Sequence, residues 1–314
     1  MTIPVIDFSK LEGEERIETL SQIANGCEEW GFFQLVNHGV PVELLQRVKN
    51  VCSECYELRE EEFKKSKPVQ LLDKVLDQQG QEGHSVEQLE NVDWEDVFFL
   101  HDDNDWPSNP PQFIETMKEY RREVKKLAER VMEVMEENLR LAKGQIKKTF
   151  SCNGQHEPFF GTKVSHYPPC PRLDLVAGLR AHTDAGGVIL LSQDDRVGGL
   201  QILKDGLWVD VQPVANAIVI NTGDQIEVMS NGRYKSVWHR VVATGDGNRQ
   251  SVASFYNPSF KATIAPVVSE EEKEVGGSLY PKLVFGDYMD VYAKQKFLPK
   301  ETRFEAVGGG SSRI

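Results

Sequence analysis

The chain has 314 residues, 39% of them apolar and 27% charged, with a formal net charge of −13. That length supports one large domain or two small ones with a sizeable core, while the acidity argues against nucleic acid or an anionic membrane as partner, so any positive pocket for an acidic ligand must be built locally. No apolar run approaches the ~20 residues that span a bilayer, and the start, Met1-Thr2-Ile3-Pro4-Val5-Ile6-Asp7, lacks the basic end and apolar stretch of a signal peptide, so a cytoplasmic protein is expected.

Val5 to Phe8 alternate into a short strand. Residues 14–30 have helical periodicity, with Ile17, Leu20, Ile23, Ala24 and Cys27 on one face. Gly31 to Val36 reads as a strand, Asn37-His38-Gly39 as a turn, and a further helix is expected from Pro41 into the charged segment 57–67. Residues 77–91 are polar and rich in Gly and Gln, which predicts a loop. Asp93 to Leu100 reads as a strand. In 111–141, Phe113, Met117, Tyr120, Val124, Leu127, Val131 and Val134 recur at spacings of four and three, the seam of an amphipathic helix. With so few heptads, packing on a sheet is expected rather than a coiled coil.

From about residue 159 short β-rich runs alternate with Gly, Pro, Asn and Asp: Gly161–Tyr167, Gly187–Ser192, Leu200–Leu203, Trp208–Val211, Ala217–Asn221, Val237–Val242 and Ser251–Tyr256. That texture predicts a β-sandwich or barrel. Helices return at 281–296, and Gly308 to Ser312 reads as a flexible tail. The fold class expected is α+β: a helix-rich N-terminal region, 1–157, wrapped on a jelly-roll core, 158–265, with a C-terminal helical segment and tail, 266–314. The cysteines, Cys27, Cys52, Cys55, Cys152 and Cys170, are odd in number and scattered, which argues against a disulfide framework. Cys52-Ser53-Glu54-Cys55 has the CxxC form but sits alone in a charged helical stretch, so reduced thiols on a helix are expected.

His182-Thr183-Asp184 and, far downstream, His239 carry the sharpest signal. On an extended backbone, residues i and i+2 point the same way, so His182 and Asp184 can converge near a strand end. His239 lies in an alternating run, Ser236 to Val242, that can turn a third ligand inward. Two imidazoles and a carboxylate bind one face of an octahedral Fe(II) and leave the other open for substrate and O2. Alone, His239 would be a hydrogen-bonded core histidine; with the others it reads as a ligand. Zinc also suits such a set, but no HExxH or comparable base motif accompanies it. Arg249 and Ser251, again two apart, project a guanidinium and a hydroxyl that can together hold a carboxylate.

Further pieces surround these residues: Trp30-Gly31-Phe32-Phe33, Val36-Asn37-His38-Gly39, Phe160 to Ser165, Tyr167-Pro168-Pro169-Cys170-Pro171, Gly178 to Gly187, Asn231 to Val237, Ser254 to Pro258 and Arg303-Phe304-Glu305-Ala306. On these the chain resembles the plant 1-aminocyclopropane-1-carboxylate oxidases, the ethylene-forming branch of the Fe(II)/2-oxoglutarate-dependent dioxygenases, over nearly its whole length. The Asn-His-Gly, YPPCP and Arg-x-Ser pieces mark the wider group; Lys163, Arg180 and Arg303-Phe304-Glu305 point to the branch. The resemblance implies a double-stranded β-helix (jelly roll) with iron on His182, Asp184 and His239. It also implies ascorbate as cosubstrate and bicarbonate or CO2 as activator, in place of 2-oxoglutarate, and release of ethylene, CO2 and cyanide. Lys163, Tyr167, Arg180, Gln193, Arg249, Ser251, Lys296 and Arg303 match positions tied to substrate, ascorbate or bicarbonate. Thr162, Ile189, Asn221 and Phe255 match pocket-lining positions, although plain core packing suits Ile189 and Phe255 equally, and Gln193 can instead face solvent in a turn.

The chain departs from the pattern at His166, where Asn is usual and either a pocket-rim or a surface place is open. It also departs at 101–110, at Ser259-Phe260-Lys261 and at Thr302. Two other readings compete: a 2-oxoglutarate dioxygenase hydroxylating a plant metabolite, and a non-catalytic jelly roll sensing a small acid, for which a broken triad would be expected. Lys296, Lys300 and Arg303 cluster beyond the last predicted strand, with Phe304 as an apolar anchor. That segment is expected to fold over the pocket mouth and bring Arg303 and Lys296 near bicarbonate or ascorbate. A monomer taking a small-molecule substrate and O2 is expected.

Overall fold

The computed structural model describes residues 2–78, 89, 91–245, 247–267 and 277–308. Two sheets form its centre. The larger has the order β1-β2-β9-β6-β11-β4-β3, built from β1 (Val5–Asp7), β2 (Phe32–Val36), β3 (Asp96–Leu100), β4 (Phe159–Tyr167), β6 (Val188–Gln193), β9 (Ile218–Thr222) and β11 (Arg249–Asn257). The smaller has the order β5-β10-β7-β8, built from β5 (Leu179–His182), β7 (Leu200–Lys204), β8 (Leu207–Asp210) and β10 (His239–Val241). Strands β12 (Thr263–Ile264) and β13 (Leu283–Val284) add a separate small ladder. This is the expected jelly roll, and the region 1–157 contributes β1, β2 and β3 to its larger sheet.

The period-two alternation of β11 decides what each face does. Arg249, Ser251, Ala253, Phe255 and Asn257 face a cavity between the sheets. Val252 and Tyr256 join the apolar layer on the other side, where the Tyr256 hydroxyl donates to Glu129 on a helix at 3.1 Å. Strand β4 repeats the pattern: Gly161, Lys163, Ser165 and Tyr167 face the cavity, whereas Phe160 and Val164 face the helices. A one-residue slip would send every polar group to the wrong face, so the burial of both faces locks the register.

The helical layer is α1 (Arg16–Asn25), α2 (Val42–Phe63), α3 (Lys67–Gln78), α4 (Phe113–Asn138), α5 (Gln145–Phe150) and α6 (Asp224–Met229), closed by α7 (Phe285–Gln295) and α8 (Lys300–Gly308). The seam of α4, from Phe113 through Tyr120 and Leu127 to Val134, is buried against the larger sheet, as expected. It ends at Asn138, where Arg140 turns into the left-handed region at φ 57°, and the Glu136 carboxylate accepts hydrogen bonds from the N–H groups of Gly144 and Ile146 at the start of α5.

Several boundaries differ from expectation. The helix foreseen over 14–30 is α1 followed by a wider π-helical turn, Gly26–Trp30, and Ile17 is 81% exposed while Thr19 takes a buried place. The charged stretch 57–67 breaks after Phe63 and restarts as α3, so residues 77 and 78 are helical; the rest of the loop foreseen at 77–91 lies outside the described residues, apart from residues 89 and 91. Strand β5 is absent from the runs read as strands, because Leu-Arg-Ala-His is too short and polar to signal one alone, but it ends at His182, a residue expected near a strand end. Gly308 ends α8, and the tail foreseen beyond it lies outside the described residues.

Candidate metal centre and its cavity

His182 ends β5 and His239 opens β10, and the antiparallel register sets the two directly opposite. Their rings lie 4.3 Å apart. Asp184 follows two residues after His182. Its oxygens lie 3.7 Å from His182 Nε2 and 3.5 Å from His239 Nε2, and one ligand atom from each of the three falls within 4.8 Å of the others. Both histidines use Nδ1 locally, against the Arg180 carbonyl at 2.8 Å and the Val237 carbonyl at 3.0 Å. A carbonyl only accepts, so Nδ1 holds the proton and both Nε2 lone pairs point inward. Burial, reinforced by the neighbouring His239 ring and the charge of Lys296, holds His182 well below the ordinary imidazole range and keeps it neutral, as a ligand must be. Asn221 Nδ2 donates to Asp184 Oδ2 at 2.8 Å and fixes the carboxylate plane. Two inward nitrogens, one oriented carboxylate and an open side fit Fe(II).

The ligand loop is seated from behind. The Asp224 N–H donates to the Asp184 carbonyl at 2.8 Å, and Gln225 Nε2 to the Ala185 carbonyl at 2.8 Å. Gly186 packs so close to the Asn257 amide that no side chain fits there. From α7, the Tyr292 hydroxyl donates to the Thr183 carbonyl at 2.9 Å. From α8, Arg303 Nη2 donates to Thr183 Oγ1 at 2.5 Å and lies 3.6 Å from Asp224, which also accepts from the Tyr288 hydroxyl at 2.6 Å. Arg303 is fully buried and is not among the residues lining the cavity. The C-terminal segment therefore does not place Arg303 at the pocket mouth as foreseen; it backs the ligand loop, where Thr183 offers the buried guanidinium an acceptor and Asp224 a counter-charge.

In front of the loop lies a cavity of about 420 Å³. Lys163, Tyr167, Arg249, Ser251 and Lys296 line it, with Thr162, Ile189, Asn221 and Phe255. Arg249 Nη2 donates to Gln193 Oε1 at 3.0 Å, Nη1 reaches Ser251 Oγ at 3.4 Å, and the guanidinium sits 5.2 Å from the Tyr167 ring centre. Gln193 thus holds Arg249 from the end of β6 and does not itself line this cavity. Burial lowers the Arg249 pKa. It lowers that of Lys296 too, with the nearby Lys163 adding to the effect.

Lys163 and Arg180, matched to positions tied to substrate, ascorbate or bicarbonate, are each held by an acid. Glu95 grips Lys163 and Asp93 grips Arg180. Neither acid was singled out beforehand; the only signal was their i, i+2 spacing in the run read as a strand, whose paired part begins at Asp96. The departures also find places. His166 turns away from the cavity, bonded to Asn248 and packed against Tyr56 of α2 with the rings tilted and their centres 4.6 Å apart. His101 and Phe260 meet on either side of Phe159, at 5.2 and 6.0 Å, and His101 reaches the cavity rim. Thr302 Oγ1 donates to the Pro299 carbonyl at 2.7 Å and steadies the start of α8.

A jelly roll that holds two histidines and a carboxylate in this way defines a non-haem iron oxygenase. Residues 158–258 match the 2OG-Fe(II) oxygenase superfamily, and residues 3–123 match the N-terminal region described as that of the non-haem dioxygenase in morphine synthesis. Among solved structures, the fold is similar to the crystal structure of JOX2 in complex with 2OG, Fe and JA, with a TM-score of 0.76 and 32% identity over 98% of this chain and 89% of that one. The chain is 74% identical to a 1-aminocyclopropane-1-carboxylate oxidase of Musa acuminata and 66% identical to 1-aminocyclopropane-1-carboxylate oxidase 5 of Arabidopsis thaliana, in each case over 98% of this chain and 99% of the relative. It belongs to the 1-aminocyclopropane-1-carboxylate oxidase family and is a non-haem iron oxidoreductase. No described helix is long and apolar enough to cross a membrane.

Proposed function

We propose that this chain oxidises 1-aminocyclopropane-1-carboxylate with O2, with ascorbate as reductant and bicarbonate or CO2 as activator, and releases ethylene, CO2 and cyanide. Substrate and ascorbate each give up two electrons, and O2 leaves as two waters. What supports this reading most directly is the identity with relatives of that name across nearly the whole of both chains. Fe(II) held by His182, Asp184 and His239 supplies the redox chemistry and the open positions that O2 needs.

The protein groups bind and orient. The Arg249 guanidinium and Ser251 hydroxyl face the cavity together and hold a carboxylate through charge-assisted hydrogen bonds. Lys296, on the cavity wall beyond α7, attracts a second anion, ascorbate or bicarbonate. Ile189, Leu191 and Phe255 keep bulk water from the reacting centre. Lys163 and Arg180 act through the acids that hold them, and Arg303 acts through Thr183. We read the enzyme as a monomer of the cytosol, organised as the three regions 1–157, 158–265 and 266–314.

The test is gas-chromatographic ethylene measurement on purified protein with Fe(II), ascorbate and bicarbonate, beside an assay for succinate from 2-oxoglutarate. Ethylene that depends on ascorbate, without succinate, is expected. Succinate formed in step with product would replace this reading with that of a 2-oxoglutarate dioxygenase.

A further inference from the structure

Asp93 and Glu95 sit just ahead of β3, two residues apart, and each takes a cation from a different sheet. Both Glu95 oxygens accept from Lys163 Nζ on β4, at 2.9 and 2.8 Å, and the two side chains are only 11–12% exposed. Asp93 accepts from the backbone N–H and Nε of Arg180 on β5, at 2.8 and 3.0 Å, while Phe297 covers that guanidinium at 3.7 Å. Arg249 and Lys296 differ: among the described residues neither has a carboxylate at salt-bridge distance, and the side-chain partners of Arg249 are the neutral Gln193 and Ser251.

The cavity therefore carries two kinds of cation. A buried cation without a counter-ion is poorly solvated, and an arriving carboxylate relieves that directly. A buried cation already gripped by a carboxylate offers a ligand only the exchange of one acid for another. Register sets the distances: Ser251 pairs with Ser165, and Lys163 lies two residues further along β4, roughly 7 Å at the usual strand rise. A five-carbon diacid anchored at Ser251 can span that gap.

We propose that Glu95 is a specificity-determining residue: by occupying Lys163 it confines ligand carboxylates to Arg249 and Lys296 and turns away diacids whose second carboxylate would need Lys163. Burial lowers the pKa of both Arg249 and Lys296, and the charge of Glu95 opposes that lowering in part. The inference rests on the reading of this cavity as a carboxylate site.

The experiment measures binding apart from turnover. Enzyme loaded with Co(II) is titrated with propionate and glutarate, and the metal's visible absorption is followed. Glu95→Gln is expected to tighten glutarate at least about tenfold, the value of one charge-assisted hydrogen bond. Propionate should change by less than about threefold, since it needs no second anchor. The gain should vanish in the double variant Glu95→Gln/Lys163→Met, which isolates the coupling between the two residues. Glu95→Asp keeps the charge and should keep refusing diacids, so it serves if the glutamine variant does not fold. Equal tightening of mono- and diacids, a gain that survives loss of Lys163, or diacid binding by Glu95→Asp tightened as much as expected for glutamine would overturn the proposal. Ethylene is scored separately: a shifted diacid ratio without ethylene supports the role of Glu95 and removes the substrate reading, whereas ethylene with an unshifted ratio does the reverse.

Discussion

Arg249 and Arg303 are the two largest fully buried side chains among the described residues, 1% and 0% exposed, and they stand on opposite sides of the same ligand loop. Arg249 faces the cavity with neutral partners. Arg303 faces the back of Thr183 with Asp224 at 3.6 Å. Hydrogen-bond saturation does not separate them, since Arg249 Nε and the Nε and Nη1 of Arg303 all lack a protein partner among the described residues. The difference is the counter-charge. A guanidinium buried beside its own carboxylate is a strut, and one buried among neutral groups is poised for a ligand's acid. Lys300, paired with Glu227 at 2.6 Å, extends the strut side, and Lys296 extends the ligand side.

The division can be broken at the loop itself. His239→Ala should abolish Fe(II) binding at stoichiometric metal and all ethylene formation, because two ligands no longer define a face of the coordination sphere; equilibrium dialysis and gas chromatography check this. Full activity in that variant would remove the metal assignment.

A smaller effect sharpens the strut side. Arg303→Met should lower stability by about 3–5 kcal/mol, the usual result of stranding a buried charge, and weaken metal affinity about 10- to 100-fold through the loosened Thr183. Burial already raises Asp224 above the ordinary carboxylate range, with Arg303 opposing, so the variant should raise it further. A carboxyl raised in the folded state favours folding while protonated and loses that contribution as pH rises through its folded value. The deficit seen in denaturant titrations should therefore be larger at about pH 7.5 than at about pH 5.5. A variant with unaltered stability and metal affinity would show that the segment is not a strut.

The smallest effect falls on the ligand side. Arg249→Lys keeps the charge but loses the planar fork, so carboxylate affinity should fall about 10- to 100-fold. Stability should fall by about 1–2 kcal/mol, the cost of leaving the part-buried Gln193 oxygen without its donor, and metal affinity should not change, because no carboxylate is stranded. A large loss of stability would make Arg249 a strut as well.

The parts of this site that the chain announces are those with short-range periodicity. His182 with Asp184 and Arg249 with Ser251 are each two apart on extended backbone, which fixes their common direction before any tertiary contact is known. The seam of α4 is similarly plain, because Phe113 to Val134 repeat over many turns. The backing of the loop is not readable in this way. Asp224 and Tyr292 lie 41 and 109 residues from Thr183, and Tyr288 lies 64 from Asp224, and no local pattern distinguishes them from other polar residues. Arg303 is readable as a motif residue, but the side of the loop it serves depends on how α7 and α8 pack. Glu95 is hidden for a related reason: its partner Lys163 lies 68 residues on, and an acid beside a strand ordinarily faces solvent.

The hydrogen bond between Arg303 and Thr183 spans 120 residues of chain. At ordinary translation rates that separation corresponds to about 6–24 s. During this interval the newly made loop carries His182 and Asp184 without its buttress, although His239 follows well before Arg303. Iron offered to the growing chain meets three donors on an unsupported loop; iron offered after Arg303 docks meets a seated one. Metal loading is thus tied to the order of synthesis, and a ribosome paused between His239 and Arg303 should hold a nascent chain with all three ligands and little grip on the metal.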